Sequence, residues 1–260
     1  IWSDARHIKG NVTITGTGTK YLRLMSMTAG VTKTLTIDGN LVLNGGLLTS
    51  NGSSAAGASV INIGGNLSVG TGSTLLFNNG SGASPCTINL TGNFLINGGT
   101  LSSKSASDNV TINFIGGVQT YTNTGTFNTS LSATTINVNG GSTLDIASQT
   151  IGGLLIFNLK SNAKLKTSHV NGVSGNFTTS GTKTFNPNSS FEFYGTETNA
   201  VTGANMPQSV KDVTITNSNG VSLSNDLTIT GSLVTNSTVK LNSKILTING
   251  NLQINNGGSI

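Results

Sequence analysis

The sequence predicts an all-β fold, a single-stranded parallel β-helix (β-solenoid) with coils of roughly 20–29 residues. Three observations predict it. A phrase of strand, Gly-Asn corner and strand returns at a near-fixed step, the apolar residues inside each copy alternate, and the composition lacks helix material. Only 8% of residues are charged, 35 are Gly, and mean hydropathy is +0.04. Coiled coils and helical bundles need Ala, Glu, Lys and Leu at helical spacing, so they are excluded. With 3 Pro and no three-residue Gly period, collagen is excluded too.

The repeats can be followed in chain order. Leu35-Thr36-Ile37-Asp38-Gly39-Asn40-Leu41-Val42-Leu43 sets the pattern, with Leu35, Ile37, Leu41 and Leu43 on one face. Ile61, Ile63 and Leu67 repeat it around Gly65-Asn66, and Ile88, Leu90 and Phe94 around Gly92-Asn93. Leu246, Ile248 and Leu252 repeat it near the end around Gly250-Asn251. Between the corners at Gly10, Gly39, Gly65 and Gly92 the step is 26 to 29 residues, which suits a β-helix coil better than a propeller blade of about 40. At the corners, Gly is expected to supply φ > 0, and stacked Asn side chains to exchange amide hydrogen bonds. The Ser-, Ala- and Gly-rich stretches from Thr49 to Ala58 and from Lys104 to Asn109 read as protruding loops. Residues 1–260 read as one continuous β-helix, with 144–193 its least regular section and no helical pass. The chain opens without Met and stops as a new strand begins, so it reads as part of a longer polypeptide.

Chemistry is sparse. Cys86 shares a face with Ile88 and Leu90 and reads as a buried small hydrophobe. His7 and His169 lack partners at metal-ligand spacing and read as surface residues. Lys164 and Lys166 flank Leu165, which places both outward. The acids stand alone in sequence except Glu192 and Glu197, beside Phe191, Phe193 and Tyr194, so Glu192, Glu197 and Tyr194 form the candidate ligand patch. Glycoside hydrolysis needs a carboxylate pair, so this patch is where an enzyme would show itself. Its plain alternative is a solvated strand face over buried aromatics. The Thr-x-Thr runs do not fall in register from coil to coil, which argues against an ice-binding array. Thirteen Lys and Arg are scattered without a cluster, so no nucleic-acid partner is expected; no catalytic, metal or cofactor site is expected either, and no run is long enough for a membrane-spanning helix.

The segment from Phe193 to Gly250, with Tyr194-Gly195-Thr196, Val213-Thr214-Ile215-Thr216-Asn217-Ser218-Asn219-Gly220 and Leu227-Thr228-Ile229-Thr230-Gly231-Ser232-Leu233, resembles phrases of large secreted Bacteroidetes-type cell-surface proteins. Those proteins are adhesin-like β-helical repeats, many of them type IX secretion substrates. The resemblance implies a noncatalytic structural or adhesive rod segment at the bacterial cell surface. Secretion machinery, surface glycans or other surface proteins would be its partners. The alternative is a polysaccharide-binding or polysaccharide-degrading β-helix.

Overall fold

The computed structural model describes residues 5–16, 21–25, 30–51, 57–79, 84–103, 108–127 and 134–260. Among the described residues strand accounts for 52% and helix for 2%, and the parallel sheets stack as a β-solenoid, the fold class expected from the repeats. The chain forms two compact units. The first comprises Ile1–Asn137, Gly153–Phe157 and Ser180–Thr182; the second comprises Val138–Gly152, Asn158–Thr179 and Lys183–Ile260.

In the first unit each coil contributes a strand to three sheets. One sheet runs Ala5–Ile8, Thr32–Ile37, Ala58–Ile63, Cys86–Leu90 and Val110–Phe114. A second runs Val12–Thr15, Leu41–Asn44, Leu67–Gly70, Phe94–Asn97 and Val118–Asn123. The third contains Tyr21–Met25, Gly46–Asn51, Ser73–Leu76, Thr100–Ser102 and Thr126–Phe127. Register places like above like: Leu35 on Ile61, Ile61 on Ile88, Ile88 on Ile112. Period-two alternation then sends Leu35, Ile37, Leu41, Leu43, Ile61, Ile63, Leu67, Ile88, Leu90 and Phe94 inward, and all ten are buried. Cys86 is buried beside them. Phe94 lies at the centre of an aromatic cluster, with ring centroids 6.4 Å from Phe114 and 5.9 Å from Tyr121.

The corners work differently from the expectation. Gly39, Gly65 and Gly92 do not take positive φ. They are needed because backbone stacks on backbone: a Cβ on Gly92 would lie 2.4 Å from the Gly65 carbonyl carbon. Nor do the corner asparagines exchange amides. The side-chain carbonyl of Asn40 accepts the backbone N–H of Asn66 at 2.7 Å, and Asn66 accepts that of Asn93 at 2.8 Å. Asn11 does the same for Asn40, and Asn93 for Thr120. Each corner asparagine therefore satisfies a backbone donor of the coil above it, a group that would be costly to leave unpaired.

The first expected loop does not have its sequence-read boundaries, whereas Asn109 does lie outside the strands, directly before Val110–Phe114. Thr49 is buried within the strand Gly46–Asn51, and Ala58 begins the strand Ala58–Ile63. Ser- and Ala-rich composition was compatible with small inward and cross-strand positions as well as with loops; residues 52–56 and 104–107 lie outside the described residues. Asp108 is buried, its carboxylate accepting hydrogen bonds from the Asn78 amide at 2.8 Å, the Ser84 backbone N–H and the Ser103 hydroxyl.

The second unit is built on a sheet of Thr143–Ala147, Lys164–Thr167, Ser190–Phe193, Asp212–Ile215, Ser232–Thr235 and Asn251–Ile254. Short strands complete its coils: Ser209–Val210, Leu227–Ile229 and Leu246–Ile248 in one sheet, Val221–Ser222 and Val239–Lys240 in another. Leu144, Leu165, Phe191, Val213 and Leu233 stack inward, and Phe185 bridges Phe177 and Phe191 with centroid distances of 5.7 and 5.9 Å. Two irregularities interrupt the unit. The ladder bulges between Asp145 and Ala147, where Ala147 takes φ of 50°. One short helix, Gly172–Asn176, has a sequence of low helix propensity. Tertiary bonds hold it: the Val173 N–H donates to the Thr202 carbonyl, and the Asn176 amide donates to the Ala147 and Gln149 carbonyls.

Three core assignments fail. Leu246 and Ile248 are half-buried and Leu252 is 48% exposed. Their strands come last in their sheets, so the alternation is present but only one neighbouring coil covers it.

Candidate functional site

The outer face of the second unit's main sheet carries the candidate patch. Register aligns Asp145, Lys166 and Glu192 in one outward column, one coil apart, and Thr143, Lys164 and Ser190 in the column beside it. Parallel stacking at about 4.8 Å brings each side chain within reach of the next. Glu192, whose side chain is 18% exposed, has Lys166 Nζ at 3.1 Å and Lys164 Nζ at 3.6 Å. The two lysines point outward while Leu165 between them is fully buried, as the alternation required.

Tyr194 follows the strand Ser190–Phe193 and reaches back two coils. Its hydroxyl donates to Asp145 Oδ1 at 2.8 Å, and Lys166 Nζ sits 5.1 Å from its ring centroid. The same Asp145 oxygen accepts the Ala147 N–H at 3.0 Å, which supports the left-handed residue at the bulge. Burial, and after it the Asp145 carboxylate that accepts the phenolic proton, push the Tyr194 hydroxyl up to about 12. A phenol shifted in that direction keeps its proton at neutral pH, so it is a donor and not a base.

Of the three candidate residues, Glu192 and Tyr194 share this face. Glu197 is exposed on the following loop with no ion pair or side-chain hydrogen bond among the described residues, so the proposed carboxylate pair is replaced by Glu192 between two lysines. Asp145, absent from the candidate patch, is the partner that the sequence did not disclose. It stands 49 residues from Tyr194, two coils away.

The histidines divide. His7 is exposed, with Nε2 2.6 Å from Asp38 Oδ1. His169 is half-buried, one side of its ring packed so closely on Gly175 that a Cβ there would lie 2.0 Å from Nδ1. Among the described residues no three His, Cys, Asp or Glu side chains gather where a metal ion could be held, and no helix is long and apolar enough to cross a membrane.

The first unit carries a neutral counterpart on its outer face. Asn62 donates to Thr36 Oγ1 at 3.3 Å, Asn89 to Asn62 at 2.8 Å, Asn113 to Asn89 at 2.8 Å and Asn137 to Asn113 at 2.9 Å. This column contains Thr only at Thr36, consistent with the out-of-register Thr runs. Compared with protein-family models, with curated proteins and with solved structures, the chain matches none.

Proposed function

We propose that the chain is a noncatalytic structural or adhesive segment of an exported bacterial cell-surface protein. The observation that carries this reading is the engagement of outward side chains with one another across coils: Asn62, Asn89, Asn113 and Asn137 in one unit, and Asp145, Lys166, Glu192 and Tyr194 in the other. Side chains used this way rigidify a stack. The acid and the phenol that catalysis would need are held in cross-coil pairs, and Tyr194 retains its proton at neutral pH. The exported, cell-surface part of the reading, with secretion machinery or other surface proteins as partners, rests on the resemblance of the Thr-, Asn- and Gly-rich repeats.

A second reading, a polysaccharide-binding or polysaccharide-degrading β-helix, draws on the half-buried ring of Tyr194 beside Glu192 and Lys166 on an outward face. The two are separated by incubating the purified chain with a polysaccharide panel and assaying reducing ends and unsaturated products. No turnover is expected. Turnover abolished by Glu192→Gln would overturn the noncatalytic reading. Antibody raised against the chain should label intact source cells; labelling only after permeabilisation would overturn the surface assignment.

A further inference from the structure

Beside the short helix of the second unit lies an open groove of about 520 Å³, within the size range of small-molecule sites. Its walls come from the helix turn, with His169, Asn171 and Ser174, and from the loop around Gly203, closed by Ser224. No side chain lining it is an acid, a lysine or an arginine. We propose that this groove binds one sugar unit of a neutral glycan, a site separate from the Glu192 face and independent of the structural role proposed above.

The hydrogen-bond inventory points to the ligand class. Ser174 Oγ accepts the Asn205 N–H at 2.8 Å, and Ser224 Oγ accepts the Gly203 N–H at 2.9 Å. Each hydroxyl has thus used an acceptor site, and its own hydrogen remains to donate. His169 Nδ1 accepts the Asn171 N–H at 3.0 Å, which places the proton of the neutral ring on Nε2 and makes that nitrogen a third donor. The Asn171 carboxamide adds a group that both donates and accepts. Hydroxyl oxygens of a sugar answer such a set. An apolar ligand would strip water from these donors without replacing it, and an anion would find no cation to pair with. Val201 and Ala204 supply apolar surface for the C–H face of a ring.

The walls are also fixed in advance. Thr202 accepts the Val173 N–H through its carbonyl and the Ser224 N–H through its hydroxyl, tying the helix to the bend that carries Ser224. Gly203, at φ of 87°, lies so close to the helix that a Cβ would be 2.6 Å from the Ser174 nitrogen. A groove held this way loses little freedom on binding.

The test is a titration of the full ¹⁵N-labelled chain with glucose, galactose and N-acetylglucosamine in turn, and separately with inorganic phosphate. At least one sugar should shift the Gly175, Gly203 and Ser224 amides saturably in the millimolar range. His169→Ala and Ser224→Ala, checked for unchanged resonances elsewhere, should each weaken that sugar by about tenfold, the worth of one lost hydrogen bond. Absence of saturable shifts with all three sugars would overturn the proposal. So would tighter saturation by phosphate, or sugar shifts that both variants leave unchanged. Should a variant not fold, the wild-type titration decides alone. Shifts confined to Glu192 and Tyr194 would support the second functional reading and sink this one.

Discussion

The outward columns of the two units obey different rules. In the first, asparagine stacks on asparagine from Asn62 to Asn137; in the second, Asp145, Lys166 and Glu192 alternate in sign. A carboxamide both donates and accepts, so identical residues satisfy one another indefinitely. A charge repels its own kind at coil spacing, so a charged column must change sign at each step. Coil length differs as well. Cross-coil partners in the first unit stand 26, 27 and 24 residues apart, whereas those toward the end of the second stand 22, 20 and 19 apart, where some strands shrink to two residues. The 26- to 29-residue step read from the corners thus describes the early coils of the first unit; it returns between Lys166 and Glu192 in the second, and the coils after that are shorter.

The largest test of this comparison addresses what the columns rest on. Phe191→Ala, at a fully buried position, should cost about 3–5 kcal/mol in urea unfolding, while Leu252→Ala should cost less than about 1 kcal/mol. Hydrogen exchange of the Ser190–Phe193 amides localises the first effect. Equal losses at the two positions would contradict the one-sided cover of the last coil. A smaller difference separates the columns themselves. Asn89→Ala removes two amide bonds and should cost about 1–3 kcal/mol irrespective of salt. Glu192→Gln should cost about 1 kcal/mol or less and lose most of that effect in high salt. Equal salt dependence would erase the distinction between neutral and charged ladders.

The smallest effect is read by absorbance. The Tyr194 phenol should ionise near 12, above the ordinary 10.0, and Asp145→Asn should bring it down. Because the folded state holds this proton more tightly than the unfolded chain, its stability is unaffected below pH 10.0 and declines from there toward about 12. A Tyr194 midpoint unaffected by Asp145→Asn would remove the Asp145 hydrogen bond from the account.

Legibility followed distance along the chain. Alternation within Leu35–Leu43 and its copies named ten buried residues correctly, because period two is a local property. The same alternation misjudged Leu252, since burial depends on what lies on both sides of a strand. Glu192 and Tyr194 were recognisable as neighbours, but Asp145 was not, as only the lengths of two intervening coils bring it under the tyrosine. The helix Gly172–Asn176 was invisible for a related reason: its bonds to Thr202, Ala147 and Gln149 make it, not its own propensities.

The asparagines of the first unit also specify the register of the stack. At the corners the earlier coil offers the side-chain oxygen and the later coil brings the N–H, from Asn11 through Asn93. On the strand face the later asparagine again donates and the earlier accepts. A finished coil therefore presents a row of waiting oxygens to the chain that follows it, spaced for one register only. A coil slipped by one residue would forfeit both rows together. For a repeat architecture whose neighbours interact only in sequence, this sets the alignment of each coil by the one beside it.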